Sequence, residues 1–340
     1  MAREAQTTTI STVAEHAGVS PATVSRVMNG QFHGSAEVAE RVRASAAALS
    51  YSPNQRARSF ASGQTKAIAF LVPDLANPVF QASLKGLSDA ASAAGYRVLV
   101  ADSAESATDE PLLAEDIRHR ADALVLCAPR MPDEELRRVT AELAPVVLLN
   151  RTSPGISVPT VAADSRVGFE SLAHHLYDLG HRRLVYVEGP DEIANGSRRA
   201  GIREFCATRP DVTVDRIGGG ASIESGLESI HAVIGSGATA VLAFNDLVAI
   251  GIVHGLIERG IRVPDDISVA GFDDVLVSRF LTPSLTTASV PYRTLGKLAW
   301  DRMRALIDGE TPDHDILVLP RIEERRSTAA PRSTAAPNGA

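Results

Sequence analysis

The spacing of apolar positions along this 340-residue chain changes from a helical to a strand-and-helix rhythm near residue 66. Between Thr12 and Ala17, the apolar Val13, Ala14 and Ala17 fall on one helical face. Gly18 follows in the place where a helix ends in a left-handed residue. Ser20 can then cap a second helix, and Pro21 suits its first turn, where a missing N–H costs nothing. Val24, Val27 and Met28 form the inner face of that helix, leaving Thr23, Ser25, Arg26 and Asn29 polar. A third helix is predicted over about 36–49, with Val38, Val42, Ala46 and Leu49 as its stripe. Pro53 and Asn54 break it, and Asn54 can cap a short helix through Ala61, with Gly63 beyond. A helix that short is marginal alone.

From Lys66 onward, short apolar runs alternate with amphipathic helices. AIAFLVP (67–73), RVLVAD (97–102), ADALVLCAP (121–129) and APVVLLNR (144–151) read as strands. HRRLVYVEGP (181–190), ATAVLAFND (238–246) and DISVAGFDD (266–274) repeat the motif in the second half. Continuous apolar strands between helices imply parallel sheets covered on both faces. Ligands in such sheets bind outside the carboxyl ends of the strands. Each strand here ends in a polar or glycine-rich turn, so two facing sheets would enclose a cleft.

Charge sharpens the division. Residues 1–65 carry six Arg against four Glu, a net +2, so the remainder of a chain of net charge −7 carries −9. A mildly basic head on an acidic body fits a DNA-binding head whose body is kept off the phosphates. No run of about 18 apolar residues predicts a membrane span, and the first residues lack the apolar core of a secretory signal. The two cysteines, Cys127 and Cys206, form neither a disulfide framework nor a Cys-x-x-Cys pair. These features point to a reducing cytoplasm.

The two helices joined by Gly-Val-Ser form a helix-turn-helix pattern. TISTVAEHAGVSPATVSRVMNG, followed by AERVRASAAALSYSPNQRARSFASG, resembles the head and hinge of the lactose-repressor (LacI/GalR) family of bacterial transcription regulators. The resemblance covers roughly residues 10–328. It implies an N-terminal all-α helix-turn-helix head and an α/β body of two doubly wound parallel-sheet lobes, like periplasmic sugar-binding proteins. The expected divisions are a DNA-binding domain over 1–50, a hinge helix and linker over 51–63, a two-lobed ligand-binding and dimerisation domain over 64–328, and a disordered tail over 329–340. The lobes would comprise about 66–163 with 292–320, and 164–291 with the end strand, so that the chain crosses between them three times.

The resemblance also assigns residues. Pro21, Ala22 and Arg26 take the base-reading positions, with Arg26 suited to guanine and Ala22 to a thymine methyl. Thr23, Ser25 and Asn29 are expected on phosphates, which set register without reading sequence. In the hinge, Asn54, Arg56 and Arg58 lie towards the DNA, and Phe60 takes the position of a minor-groove wedge where most relatives have Leu. For the cleft, Arg198, Asn245 and Asp273 match the family's effector-contacting residues, with Arg199 competing for the role of Arg198. Val79, Phe80, Asn150, Arg151 and Asp164 are further candidates from the strand ends. Phe80 can stack on a ring, whereas Arg151 has an interlobe ion pair as its alternative. Asp246 and Asp274 read as helix caps. Ala221 stands near a position where many relatives carry a large aromatic, which implies a roomier pocket.

Catalysis finds no support in the motifs. There is no Gly-x-Ser-x-Gly elbow, His-Glu-x-x-His or P-loop. His174 and His175 are adjacent on a helix and point apart. The expectation is therefore a non-enzymatic, cytoplasmic homodimer without cofactor or membrane contact. It binds double-stranded operator DNA under control of a small effector, with a sugar favoured. A nucleobase, a phosphorylated metabolite, a protein partner or an activating role is the alternative.

Overall fold

The computed structural model describes residues 9–28, 30–51, 64–153, 155–190, 192–312 and 315–332. The chain divides into two units, 1–66 and 67–340.

The smaller unit is a three-helix head. Thr9 Oγ1 accepts from the Thr12 amide at 3.3 Å and opens α1 (Ile10–Ala17). Gly18 closes it at φ 64°, the left-handed conformation expected of a glycine there. Ser20 Oγ accepts from the Thr23 amide at 3.2 Å and caps α2 (Pro21–Met28). Ser35 caps α3 (Ala36–Ala48), which ends one residue before the expected Leu49. Val13, Ala14, Ala17, Val24, Val27, Val42 and Ala46 close into one core, with Met28 and Leu49 partly buried against it; Val38 is half-buried. Arg41 on α3 donates from Nε to the Ala17 carbonyl at 2.9 Å and satisfies the end of α1.

The larger unit has two lobes, each built on a six-stranded sheet. Lobe 1 comprises β1 (Ala67–Val72), α4 (Pro78–Ala93), β2 (Arg97–Asp102), α5 (Glu110–Arg118), β3 (Ala123–Cys127), α6 (Asp133–Glu142), β4 (Val146–Leu149) and β5 (Thr160–Ala163). The chain then crosses into lobe 2, with α7 (Ser165–Asp178), β6 (Arg183–Val187), α8 (Glu192–Ala207), β7 (Thr213–Ile217), α9 (Ile223–Glu228), α10 (Ile230–Gly235), β8 (Ala240–Ala243), α11 (Asp246–Glu258), β9 (Ser268–Asp273) and β10 (Thr286–Ser289). It returns with α12 (Tyr292–Ile307) and β11 (Ile316–Val318) to lobe 1, and ends with β12 (Arg321–Glu323) in lobe 2. The three crossings are those expected.

The sheet orders are β11-β5-β4-β3-β1-β2 and β12-β10-β9-β8-β6-β7. Every pairing is parallel except β10 with β12. Both lobes thus repeat one winding, which reverses beside their first strands and leaves a crevice at the strand ends.

All six residues of β1 are buried, and they alternate between two cores. Ile68, Phe70 and Val72 face one; Ala67, Ala69 and Leu71 face the other. This is why the strand reads as a continuous apolar run. The edge strands β2 and β7 are partly exposed.

Residues 329–332, expected in a disordered tail, are held by hydrogen bonds and an ion pair. Ala329 donates its amide to Ser268 Oγ at 3.1 Å, and Arg332 pairs with Asp265 at 3.0 Å. Residues 329–332 therefore belong to lobe 2, because buried hydroxyl and imidazole groups of that lobe use this backbone as their partner.

Candidate functional site

On the head, the inner face of α2 is spent on the core, and this fixes what it shows outward. Pro21, Ala22 and Arg26 are exposed together, while Thr23 and Ser25 are half-exposed beside them. Thr23 Oγ1 also hydrogen-bonds Ser20 Oγ at 2.9 Å, within the capping turn. Asn29, Asn54, Arg56, Arg58 and Phe60 lie outside the described residues.

In the body, the strand ends of both lobes meet at a cleft of about 110 Å³. Of the eight cleft candidates, Val79, Phe80, Asn150, Arg151, Arg198, Asn245 and Asp273 line it. Asp164 is not among the lining residues. It caps α7, with Oδ1 accepting from the Val167 amide at 3.0 Å, and the next residue, Ser165, faces the cleft instead. Its place in an Asp-Ser-Arg-Val helix start explains the correction.

From lobe 1, Asn77 caps α4 through Oδ1 and sets Val79 and Phe80 at the cleft wall. Asn150 is held at φ 58°, where the chain leaves β4. Arg151 is 7% exposed and bound within its own lobe. It donates to the Pro129 and Met131 carbonyls at 2.7 and 2.6 Å and to Asp133 at 2.6 Å. Its ion pair is therefore internal to lobe 1 rather than across the lobes. Arg130 similarly grips Glu105 with two nitrogens, at 2.6 and 3.0 Å.

From lobe 2, α8 separates two adjacent arginines. Arg199 pairs with Glu188 through two hydrogen bonds, at 2.7 and 2.8 Å. Arg198 turns into the cleft, its guanidinium carbon 4.1 Å from the Phe244 ring centre and 5.3 Å from that of Phe272. Stacking on aromatic faces holds this cation in one orientation. Asn245 caps α11, with Oδ1 accepting from the Val248 amide at 2.9 Å, and Nδ2 donates to the Ala221 carbonyl at 3.0 Å. One Nδ2 hydrogen remains for a ligand.

Asp273 ends β9 at φ 118° and is 6% exposed. Tyr292, the first residue of α12 in lobe 1, donates its hydroxyl to Asp273 Oδ1 at 2.5 Å. This bond ties the two lobes together on the cleft wall. Burial and the neighbouring Asp246 push the Asp273 carboxyl up to about 8, against the pull of Tyr292 and Arg198. Burial and Asp273 in turn push the Tyr292 phenol well above its ordinary value. Burial thus disfavours the charged form of Asp273 on the cleft wall, and a protonated carboxyl can donate as well as accept.

Neither Asp246 nor Asp274 caps a helix. Asp246 is fully buried and accepts from Thr287 and Ser278 hydroxyls and the Val275 amide, at 2.6–2.9 Å. Burial raises it to about 6. Asp274 accepts from Arg279, Arg325 and Ser289. Both fix the turn behind Asp273. Sequence reading did not single out Asn77, Phe244 or Tyr292. Asn77 stood beside two chosen residues in a cap-and-proline pattern that gives the clue; Tyr292 reaches the cleft only through the interlobe crossing. Trp300 packs against Tyr96, with ring centres 5.2 Å apart. Among the described residues, no group of His, Cys, Asp and Glu is placed to hold a metal ion, and no helix is long and apolar enough to cross a membrane.

Residues 9–54 match the family described as bacterial regulatory proteins, lacI family, and residues 173–328 match a periplasmic binding protein-like domain. The HTH-type transcriptional regulator GalR of Escherichia coli K12 is 35% identical over 330 residues, covering 95% of this chain and 96% of that protein. The Lac repressor dimer, solved with operator and the anti-inducer ONPF, superposes with a TM-score of 0.87 at 29% identity, over 96% of this chain and all of that one. The transcriptional regulator CelR, solved with cellobiose, gives a TM-score of 0.70 at 26% identity, over 94% and 99% of the two chains. These relatives are regulators of transcription rather than enzymes. With its head and both lobes matched along nearly the whole length, the chain belongs to the lacI family of bacterial DNA-binding transcriptional regulators.

Proposed function

We propose that this regulator is a cytoplasmic homodimer that represses transcription from a near-palindromic operator and responds to a small neutral sugar bound between its lobes. Arg26, Pro21 and Ala22 read bases, and Thr23, Ser25 and Asn29 hold phosphates. Asn54 and Arg56 follow the backbone at the centre of the operator, where Phe60 wedges between base steps.

The observation that carries the effector reading is the convergence of Arg198, Asn245 and Asp273 from one lobe with Phe80 and Asn150 from the other. Fixed donors, a buried carboxyl and an aromatic wall suit vicinal hydroxyls on a ring. Arg130 and Arg151 are engaged by Glu105 and Asp133, which disfavours a phosphate at that wall. Disaccharide binding by the related CelR supports the same class.

A thermal-shift screen against neutral monosaccharides and disaccharides, sugar phosphates and nucleobases tests it. A ligand at 100 times its Kd adds about 2.7 kcal/mol of stability. A neutral sugar that raises the midpoint, and whose effect is lost in Asp273→Ala, is the expected result. A response confined to sugar phosphates or nucleobases would overturn the sugar reading.

A further inference from the structure

The end of the chain contains one hexapeptide twice. Residues 326–331 read Arg-Ser-Thr-Ala-Ala-Pro, and residues 332–337 read Arg-Ser-Thr-Ala-Ala-Pro again.

The first copy fills a groove on lobe 2. The Arg326 amide donates to the Ser284 carbonyl at 3.0 Å. Ser327 is fully buried. Its hydroxyl donates to the Val269 carbonyl at 2.5 Å and accepts from the Thr286 amide at 2.8 Å, and its carbonyl accepts from the Val269 amide at 2.8 Å. Thr328 Oγ1 meets His175 Nε2 at 3.0 Å and Thr286 Oγ1 at 2.9 Å. The Ala329 carbonyl meets His181 Nε2 at 2.9 Å, and Pro331 packs against Gly180. The groove thus reads this peptide by its backbone and its two hydroxyls. Without it, the buried Val269 and Thr286 amides would lose these partners and the His181 ring would keep only Thr239 and Ser268, a costly state for buried polar groups.

Every one of those groups recurs six residues later. We propose that the groove is a hexapeptide site with two cognate occupants in one chain. Residues 326–331 fill it in the described register. Residues 332–337 fill it after a six-residue shift in which 326–331 loop out.

Arg325 anchors both registers, bonding Asp274 at 2.5 Å and Thr286 Oγ1 through its amide at 2.9 Å. A six-residue loop of small, polar and proline residues is of ordinary length, and its closure cost grows slowly with length. The described register wins because it needs no loop and because Arg332 pairs with Asp265 and Asp266, where the shifted chain presents Asn338. The second copy is thus a spare clamp for β9 and β10, the strands that carry Asp273 and lead into Tyr292. It seats when the first copy is damaged or displaced.

The test compares thermal midpoints of the full-length protein with Ser327→Asp, Ser333→Asp and both. An aspartate cannot occupy the Ser327 seat, which offers a carbonyl to a donor. Ser333→Asp alone is expected to leave the midpoint unchanged. Ser327→Asp is expected to lower it by less than half of the fall in the double variant, because the second copy takes the seat. Equal falls in Ser327→Asp and the double variant overturn the proposal, as does no fall in the double variant. If Ser327→Asp does not fold, the same inequality is read with Ser327→Ala and Ser327→Ala/Ser333→Ala.

Discussion

Asp273 concentrates the chemistry of the cleft in one carboxyl whose charge is disfavoured by burial and by Asp246. Its folded value, about 8, lies above the ordinary carboxylate value of 3.8. Stability associated with it is therefore fully present below about pH 4 and is lost as pH rises towards 8, since the unfolded chain releases the proton first. Asp273→Asn keeps an acceptor for Tyr292 and removes the titration. It should flatten the decline in thermal midpoint between pH 4 and 8 and raise the midpoint at pH 8 by several degrees. A wild-type midpoint that does not fall over that window would contradict this assignment. On the head, Arg26→Ala should cost about 1–3 kcal/mol of discrimination at one base pair and little on non-specific DNA. Operator titrations against a single-base variant measure both. A place in the cleft lining was legible where a side chain leaves a strand end, as with Asn245 and Asp273. It was not legible between Arg198 and Arg199, because only the rotation of α8 decides which enters the cleft. Asp164 misled because a carboxylate at a strand end and a helix cap look alike in sequence.

Elements follow their local signals closely where the interior is apolar on both sides. The all-buried β1, β3 and β8 announced themselves as strands, and Gly18, Ser20 and Ser35 stand at the helix ends that their chemistry favours. The edge strand β7 and the Thr-rich β10 did not, since one is half-exposed and the other donates the buried Thr287 hydroxyl to Asp246 and the buried Thr286 amide to Ser327. The crossing of α4 and α12 was equally hidden. A Cβ on Gly296 would lie 2.0 Å from the Ser83 carbonyl oxygen, and one on Gly86 would lie 1.9 Å from that of Arg293. Backbone meets backbone there, so no side chain can swing away. Gly296→Ala should therefore destabilise lobe 1 by about 1–3 kcal/mol through overpacking, read as a lower thermal midpoint. Ser20→Ala, which removes only a cap, should cost the head about 1 kcal/mol.

At the scale of the whole molecule, the body has one winding used twice and three crossings, and one of these places Tyr292 against Asp273. At the proposed site, a ligand on Asp273 would act on a carboxyl that lobe 1 already holds through Tyr292, so effector binding and lobe position would share a bond. If the sugar and the operator favour different lobe arrangements, each must change the other's affinity by the same factor, typically about 5–150-fold. Tyr292→Phe removes only the shared hydroxyl. It should bring that factor closer to one while leaving operator affinity of the effector-free protein within a few-fold of wild type. The measurement is a closed cycle: operator affinity with and without saturating sugar, and sugar affinity with and without saturating operator. Equal ratios that both shrink in Tyr292→Phe would assign the coupling to this bond. Ratios unchanged by the substitution would move it to the other crossings, at 163–164 and 318–321.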